Sequence, residues 1–76
     1  MFSLDKLEID QKARVVKVHA KEQLKHRLIS FGITKGATIT LLGMCMTKST
    51  LNIRVDGTKV ALRKSEAMLI EVAIDE

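Results

Sequence analysis

Alternating apolar and polar residues predict five short β-strands along this chain. In LNIRV, for example, Leu51, Ile53 and Val55 fall on one face and Asn52 and Arg54 on the other, as in a strand with one buried side. Val15, Val16 and Val18 are β-branched residues, which favour a pleated, half-buried surface. The five predicted strands are KARVVKVH, ATITLLGM, LNIRV, TKVAL and LIEVAI, and the last alternates Ile70, Val72 and Ile74 with Glu71, Ala73 and Asp75.

A different periodicity predicts one helix, KEQLKHRLISFG, after the first strand. Leu24, Leu28 and Phe31 are spaced at i, i+4 and i+7, which gives an apolar stripe on one helical face. Gly32 suits the left-handed position that follows many helices, and Ile33 would then pack back on Leu28. We therefore expect the helix to end on a sharp corner that leads directly into the next strand.

The remaining segments carry turn signals. SLDKL predicts a short helical turn capped by Ser3, with Leu4 and Leu7 pointing inward. Asp56-Gly57 predicts a type I′ hairpin. CMTKST is predicted as a loop and RKSEA as a tight helical turn.

These elements predict an all-β fold in one domain, residues 1–76. Five closely spaced short strands favour a small barrel, which also limits the number of exposed sheet edges. We predict a partly open, SH3-like β-barrel in which the helix, inserted after the first strand, closes one end.

The composition of the chain disfavours several classes of function. The chain has a net charge of +4, but its basic residues are dispersed, and only 3% of residues are aromatic. Without stacking side chains or a basic tract, nucleic-acid binding is disfavoured. There is no apolar run of about 18 residues, so direct membrane insertion is not expected. The absence of a recognisable secretory signal and the single cysteine favour a reducing cytoplasm.

Candidate chemistry is sparse. No glycine-rich phosphate loop is present, and no spacing indicates a Cys–His catalytic pair, so we expect a protein that is not an enzyme and needs no cofactor. Met44, Cys45 and Met46 offer soft sulfur ligands of the type that bind Cu(I). Core packing explains them better, and Cys45, His19 and His26 stay weak candidates for a transition-metal site.

Three segments in order resemble the FeoA family of bacterial ferrous iron uptake. They are Arg27-Leu28 in the helix, the corner FGITKG, and ALRKSEAMLIEV from residue 61 to residue 72. The resemblance covers nearly the whole chain. Lys35 stands where the family often has proline, and a glycine common before the first strand is replaced near Asp10.

The resemblance implies an SH3-like fold and a non-enzymatic cytosolic adaptor that docks on the FeoB membrane transporter. Docking would recruit the adaptor to the inner face of the cell membrane. The helix surface and the late strand supply the candidate partner-binding residues Lys25, His26, Arg27 and Arg63. A small metal carrier or sensor, and a nucleic-acid-binding β-barrel, are the alternatives.

Overall fold

The computed structural model describes residues 1–74, which form six strands, one nine-residue helix and two shorter helical turns. The strands are β1 (Phe2–Ser3), β2 (Lys12–Val18), β3 (Thr38–Cys45), β4 (Thr50–Val55), β5 (Thr58–Arg63) and β6 (Ile70–Ile74). Helix α1 spans Glu22–Ser30, α2 spans Lys64–Ala67, and a 3₁₀ turn spans Leu4–Lys6.

The strands form one antiparallel sheet in the order β1-β6-β2-β3-β4-β5. This confirms the mainly-β fold and the helix inserted after the first predicted strand. The sheet ends at β1 and β5, as in a partly open barrel. Strand β1 was not predicted: its two residues pair with β6, Phe2 opposite Val72.

The barrel interior is built from the apolar positions of the alternating strands. All sixteen hydrophobic side chains of the core are at most 8% exposed, and most are completely inaccessible to solvent. β6 contributes Ile70 and Val72, whereas Ile74 is 37% exposed at the strand's end. Asp75, the last residue of the predicted alternation, lies outside the described residues.

Helix α1 ends as its sequence predicts. Gly32 has φ +90°, its N–H donates to the Ile29 carbonyl at 2.9 Å, and the Ile33 N–H donates to the Leu28 carbonyl at 2.9 Å. These two bonds define the Schellman arrangement, and both Leu28 and Ile33 are buried. Leu28 is the only fully buried residue within the helix, since Leu24 and Phe31 are half-buried beside the core.

The turns agree with the sequence in two places and differ in two. Asp56 and Gly57 both have positive φ between β4 and β5, which confirms the hairpin, and RKSEA does form the turn α2. Ser3 does not cap the 3₁₀ turn, because its hydroxyl donates to the Asp5 carboxylate instead. The loop predicted for CMTKST is also shorter, since Cys45 and Thr50 already pair as strand residues.

Candidate functional site

A groove lies between α1, β2 and the corner that follows the helix. Its volume is about 470 Å³, within the range of small ligand sites. The groove is lined by four apolar side chains, one threonine and three lysines: Val16, Val18, Ile29, Ile33, Thr34, Lys17, Lys25 and Lys35.

The local structure explains how one helical face reaches this groove. Lys25 and Ile29 are four residues apart, so their side chains lie side by side on α1. Ile29 is 46% exposed, whereas Ile33 beneath the corner is inaccessible to solvent. The groove thus combines an accessible aliphatic side chain with a closed apolar floor.

The charge of the groove has one sign. Lys17, Lys25 and Lys35 are exposed, and none forms an ion pair within residues 1–74. Among residues 1–74, no aspartate or glutamate lines the groove. Such a concave surface complements an acidic segment that carries an apolar side chain.

Arg27 occupies the other side of α1. Its Nη1 donates to Glu66 Oε2 at 3.0 Å, and its guanidinium carbon lies 5.6 Å from the centre of the Phe31 ring. Glu66 is 7% exposed, and its Oε1 accepts the Arg63 backbone N–H at 2.9 Å. Glu66 therefore satisfies two donors and joins α1 to the start of α2.

The predicted partner-binding residues are consequently distributed over different parts of the surface. Lys25 lies in the groove, and His26 is exposed on α1. Arg27 and Arg63 meet at Glu66, the first through its side chain and the second through its backbone. The sequence did not identify Ile29 as a groove residue, because it falls outside the helical stripe that the periodicity identified. It did not identify Lys35 either, because Lys35 lies in the corner after α1 and reaches the groove only through the fold.

The candidate metal ligands are not brought together in the described part of the chain. His19 Nε2 lies 3.0 Å from Glu71 Oε1 at the β2–β6 pair, while His26 is on the helix. Cys45 is half-buried at the end of β3, in a hollow that Met44 and Met46 also line. Among residues 1–74, no group of three or more His, Cys, Asp or Glu side chains is arranged to hold a metal ion.

Two further observations extend beyond the candidate site. No helix in the described residues is long and apolar enough to cross a bilayer. A family model described as the FeoA domain matches residues 2–74. The chain belongs to the FeoA family.

Relatives support this membership over nearly the full length. A Campylobacter jejuni protein, provisionally named Fe(2+) transport protein A, is 36% identical over 71 residues, which cover 93% of this chain and 96% of that protein. The solution NMR structure of the FeoA protein from Chlorobium tepidum superposes with a TM-score of 0.90 at 27% identity, covering 99% of this chain and 74% of that one.

The FeoA fold is also seen in a zinc complex. The crystal structure of Stenotrophomonas maltophilia FeoA complexed with zinc is described as a prokaryotic SH3 domain protein. It superposes with a TM-score of 0.82 at 28% identity and covers 96% of this chain and 91% of that one. The likeness confirms the SH3-like architecture predicted from the strand spacing.

Proposed function

We propose that this FeoA-family chain is a non-enzymatic cytosolic accessory protein of ferrous iron uptake that docks on the cytosolic part of a FeoB-type transporter. The observation that carries the proposal is the groove between α1 and β2, with its apolar floor and with three lysines that form no ion pair in the described part of the chain. Its occupant would be an acidic segment of the transporter that inserts an apolar side chain. The zinc-bound relative has been proposed to act as a bacterial ferrous iron transport activating factor, which accords with such a role.

The energetics of the groove divide between its two components. Apolar contact with Ile29, and with the half-buried Val16 and Val18, would slow dissociation, because buried apolar surface stabilises the complex at roughly 25 cal/mol per Å² before association costs are subtracted. The lysines at the rim would mainly accelerate association and disfavour basic partners. Binding should accordingly weaken as ionic strength rises.

The test is a kinetic binding assay against the isolated cytosolic domain of the transporter. Lys25→Glu should lower the association rate by about tenfold and reduce its salt dependence, whereas Ile29→Asn should mainly raise the dissociation rate. Lys48→Glu, at an exposed turn outside the groove, is the control for the change in net charge. Circular dichroism checks that each variant is folded.

Arg63→Glu separates the groove from the surface around α2. If Arg63→Glu weakens binding and Lys25→Glu does not, the interface lies on the α2 side and the groove proposal is wrong. If the wild-type chain does not bind the domain but takes up stoichiometric Fe(II) or Cu(I) under anaerobic conditions, the carrier alternative replaces the docking proposal.

A further inference from the structure

The strand register places four cations together on the outer face of the sheet. Lys12 lies opposite Thr40, Thr40 opposite Arg54, and Arg54 opposite Lys59, so one row crosses four strands. Arg14, opposite Thr38, lies beside this row. We call the four exposed cations the cationic face: Lys12, Arg14, Arg54 and Lys59.

The charges of this face are not compensated within the described chain. Arg54 and Lys59 are direct cross-strand neighbours, an arrangement in which like charges destabilise a sheet. None of the four cations forms an ion pair in residues 1–74. The Asp56 carboxylate lines the same shallow depression as Lys12 and Arg54. Because this one carboxylate stands against four cations, the face keeps a net positive charge. Because no ion pair within residues 1–74 offsets this clustering, an external anion is the counter-charge that the face is suited to recruit.

The dimensions of the face suit an extended anionic surface better than a single anion. Neighbouring strands are about 4.8 Å apart, so the row from Lys12 to Lys59 crosses three spacings and spans about 14 Å at the backbone. A small side chain, Thr40, lies between Lys12 and Arg54 in the row, and another, Thr38, lies opposite Arg14. A surface of this kind allows several cations to reach a flat array of phosphates at once.

The side chains also disfavour single-stranded nucleic acid as the occupant. Single strands are usually held by aromatic side chains on which bases stack. The two aromatic residues of the chain are Phe2 in β1 and Phe31 at the end of α1, and neither belongs to the four strands of the row. The face offers charge without stacking.

We propose that the cationic face binds the anionic headgroups of a lipid bilayer without insertion. The choice of a membrane rests on the proposed function, which places the chain beside a membrane transporter. The groove and the cationic face share no residue, so binding through the face leaves the groove residues available to the protein partner. Each basic residue near an anionic bilayer contributes enough to change binding about fivefold at low salt.

The experiment is sedimentation of the full chain with vesicles. Vesicles of phosphatidylcholine alone are compared with vesicles containing phosphatidylglycerol, at low and at physiological salt. The test variant is Lys12→Gln/Arg54→Gln/Lys59→Gln. The matched control, Lys21→Gln/Lys48→Gln/Lys64→Gln, removes the same charge from exposed lysines outside the face.

We expect the wild type to bind only the anionic vesicles, and more weakly as salt rises. The test variant should bind about 100-fold more weakly, while the control should stay within about tenfold of the wild type. If the test variant does not fold, Arg54→Gln alone should reduce binding about fivefold.

Three results would overturn the proposal: no binding of the wild type to anionic vesicles, equal losses in both triple variants, or an oligonucleotide that binds the face and displaces the vesicles. Because the transporter domain is tested in solution without lipid, failure here leaves the docking proposal intact. Failure of docking likewise leaves vesicle binding measurable.

Discussion

Substitutions at the glycines of the α1–β3 corner should separate backbone strain from packing. Gly32 and Gly36 have nearly the same φ, +90° and +91°. A Cβ at Gly32 would lie 3.4 Å from Val55 Cγ1, whereas nothing lies within 4 Å of a Cβ at Gly36. Gly43 has no positive φ and no neighbour within 4 Å, so it is the control for both effects.

The magnitudes follow from these three environments. Alanine at Gly32 or Gly36 incurs about 1 to 2 kcal/mol of left-handed strain. The reduced freedom of the unfolded chain offsets about 0.4 to 1 kcal/mol of it, which leaves a net loss near 1 kcal/mol at each site. Gly43→Ala has only the second effect and should be neutral or stabilising.

Valine distinguishes the two corner positions. Gly32→Val brings γ-carbons against Val55, and overpacking of this kind costs about 1 to 3 kcal/mol in addition to the strain. Gly36→Val has open space around it and should cost only the strain. Gly32→Val should therefore be the less stable of the two valine variants by about 1 to 3 kcal/mol.

The assay is urea denaturation followed by circular dichroism, with thermal melts as a second measure. In a domain of this size, 1 kcal/mol corresponds to roughly 4 to 8 °C in Tm. Equal losses for Gly32→Val and Gly36→Val would refute the packing argument. A Gly32→Ala variant as stable as Gly43→Ala would refute the argument from φ.

Three other predictions concern single residues. Glu66→Ala should destabilise the fold by about 2 kcal/mol, because it removes the buried carboxylate that accepts from the Arg27 guanidinium and from the Arg63 backbone N–H, and leaves both donors without their acceptor. Arg27→Ala should cost under 1 kcal/mol, since its side chain is half-exposed. Paired denaturation curves check the order, and the reverse order would contradict it. Asp10 has φ +69° and lies near the place where the family often has a glycine, so Asp10→Gly should leave stability unchanged or raise Tm by a few degrees. A clear fall in Tm would show that the Asp10 side chain is needed. Cys45→Ser should leave transporter binding and metal content unchanged and lower the free energy of unfolding by about 1 kcal/mol. Calorimetry and metal analysis check this, and loss of a stoichiometric metal would revive the carrier alternative.

Local signals in the sequence predicted the elements whose geometry is itself local. The end of α1 needs only Leu28, Gly32 and Ile33, and the β4–β5 hairpin needs only Asp56 and Gly57. Strand β1 escaped prediction because two residues show no alternation and its partner, Val72, is distant in the sequence. The loop predicted after β3 was too long, because the pairing of Cys45 with Thr50 depends on tertiary register.

The candidate surfaces were less predictable, since each depends on elements that are far apart in the chain. Lys25 was identified from its place on the helix, but its neighbours Val16 and Lys35 come from β2 and the corner. The contact between Arg27 and Glu66 joins residues 39 positions apart. The row of cations likewise depends on the register of four strands, which residue spacing alone does not specify.

The position of β6 between β1 and β2 has a consequence for how the chain folds. Strands β1 and β2 are synthesised before β6, and both pair with it. Neither the β1–β6 nor the β2–β6 pairing can therefore form until β6 has been synthesised. Such long-range pairing slows folding relative to proteins rich in local contacts. Until then β2 keeps one edge unpaired, and the hydrophobic side of Val15 lacks its cover from Val72. At translation rates of roughly 5 to 20 residues per second, the nascent chain passes through seconds in which this edge is open to other chains.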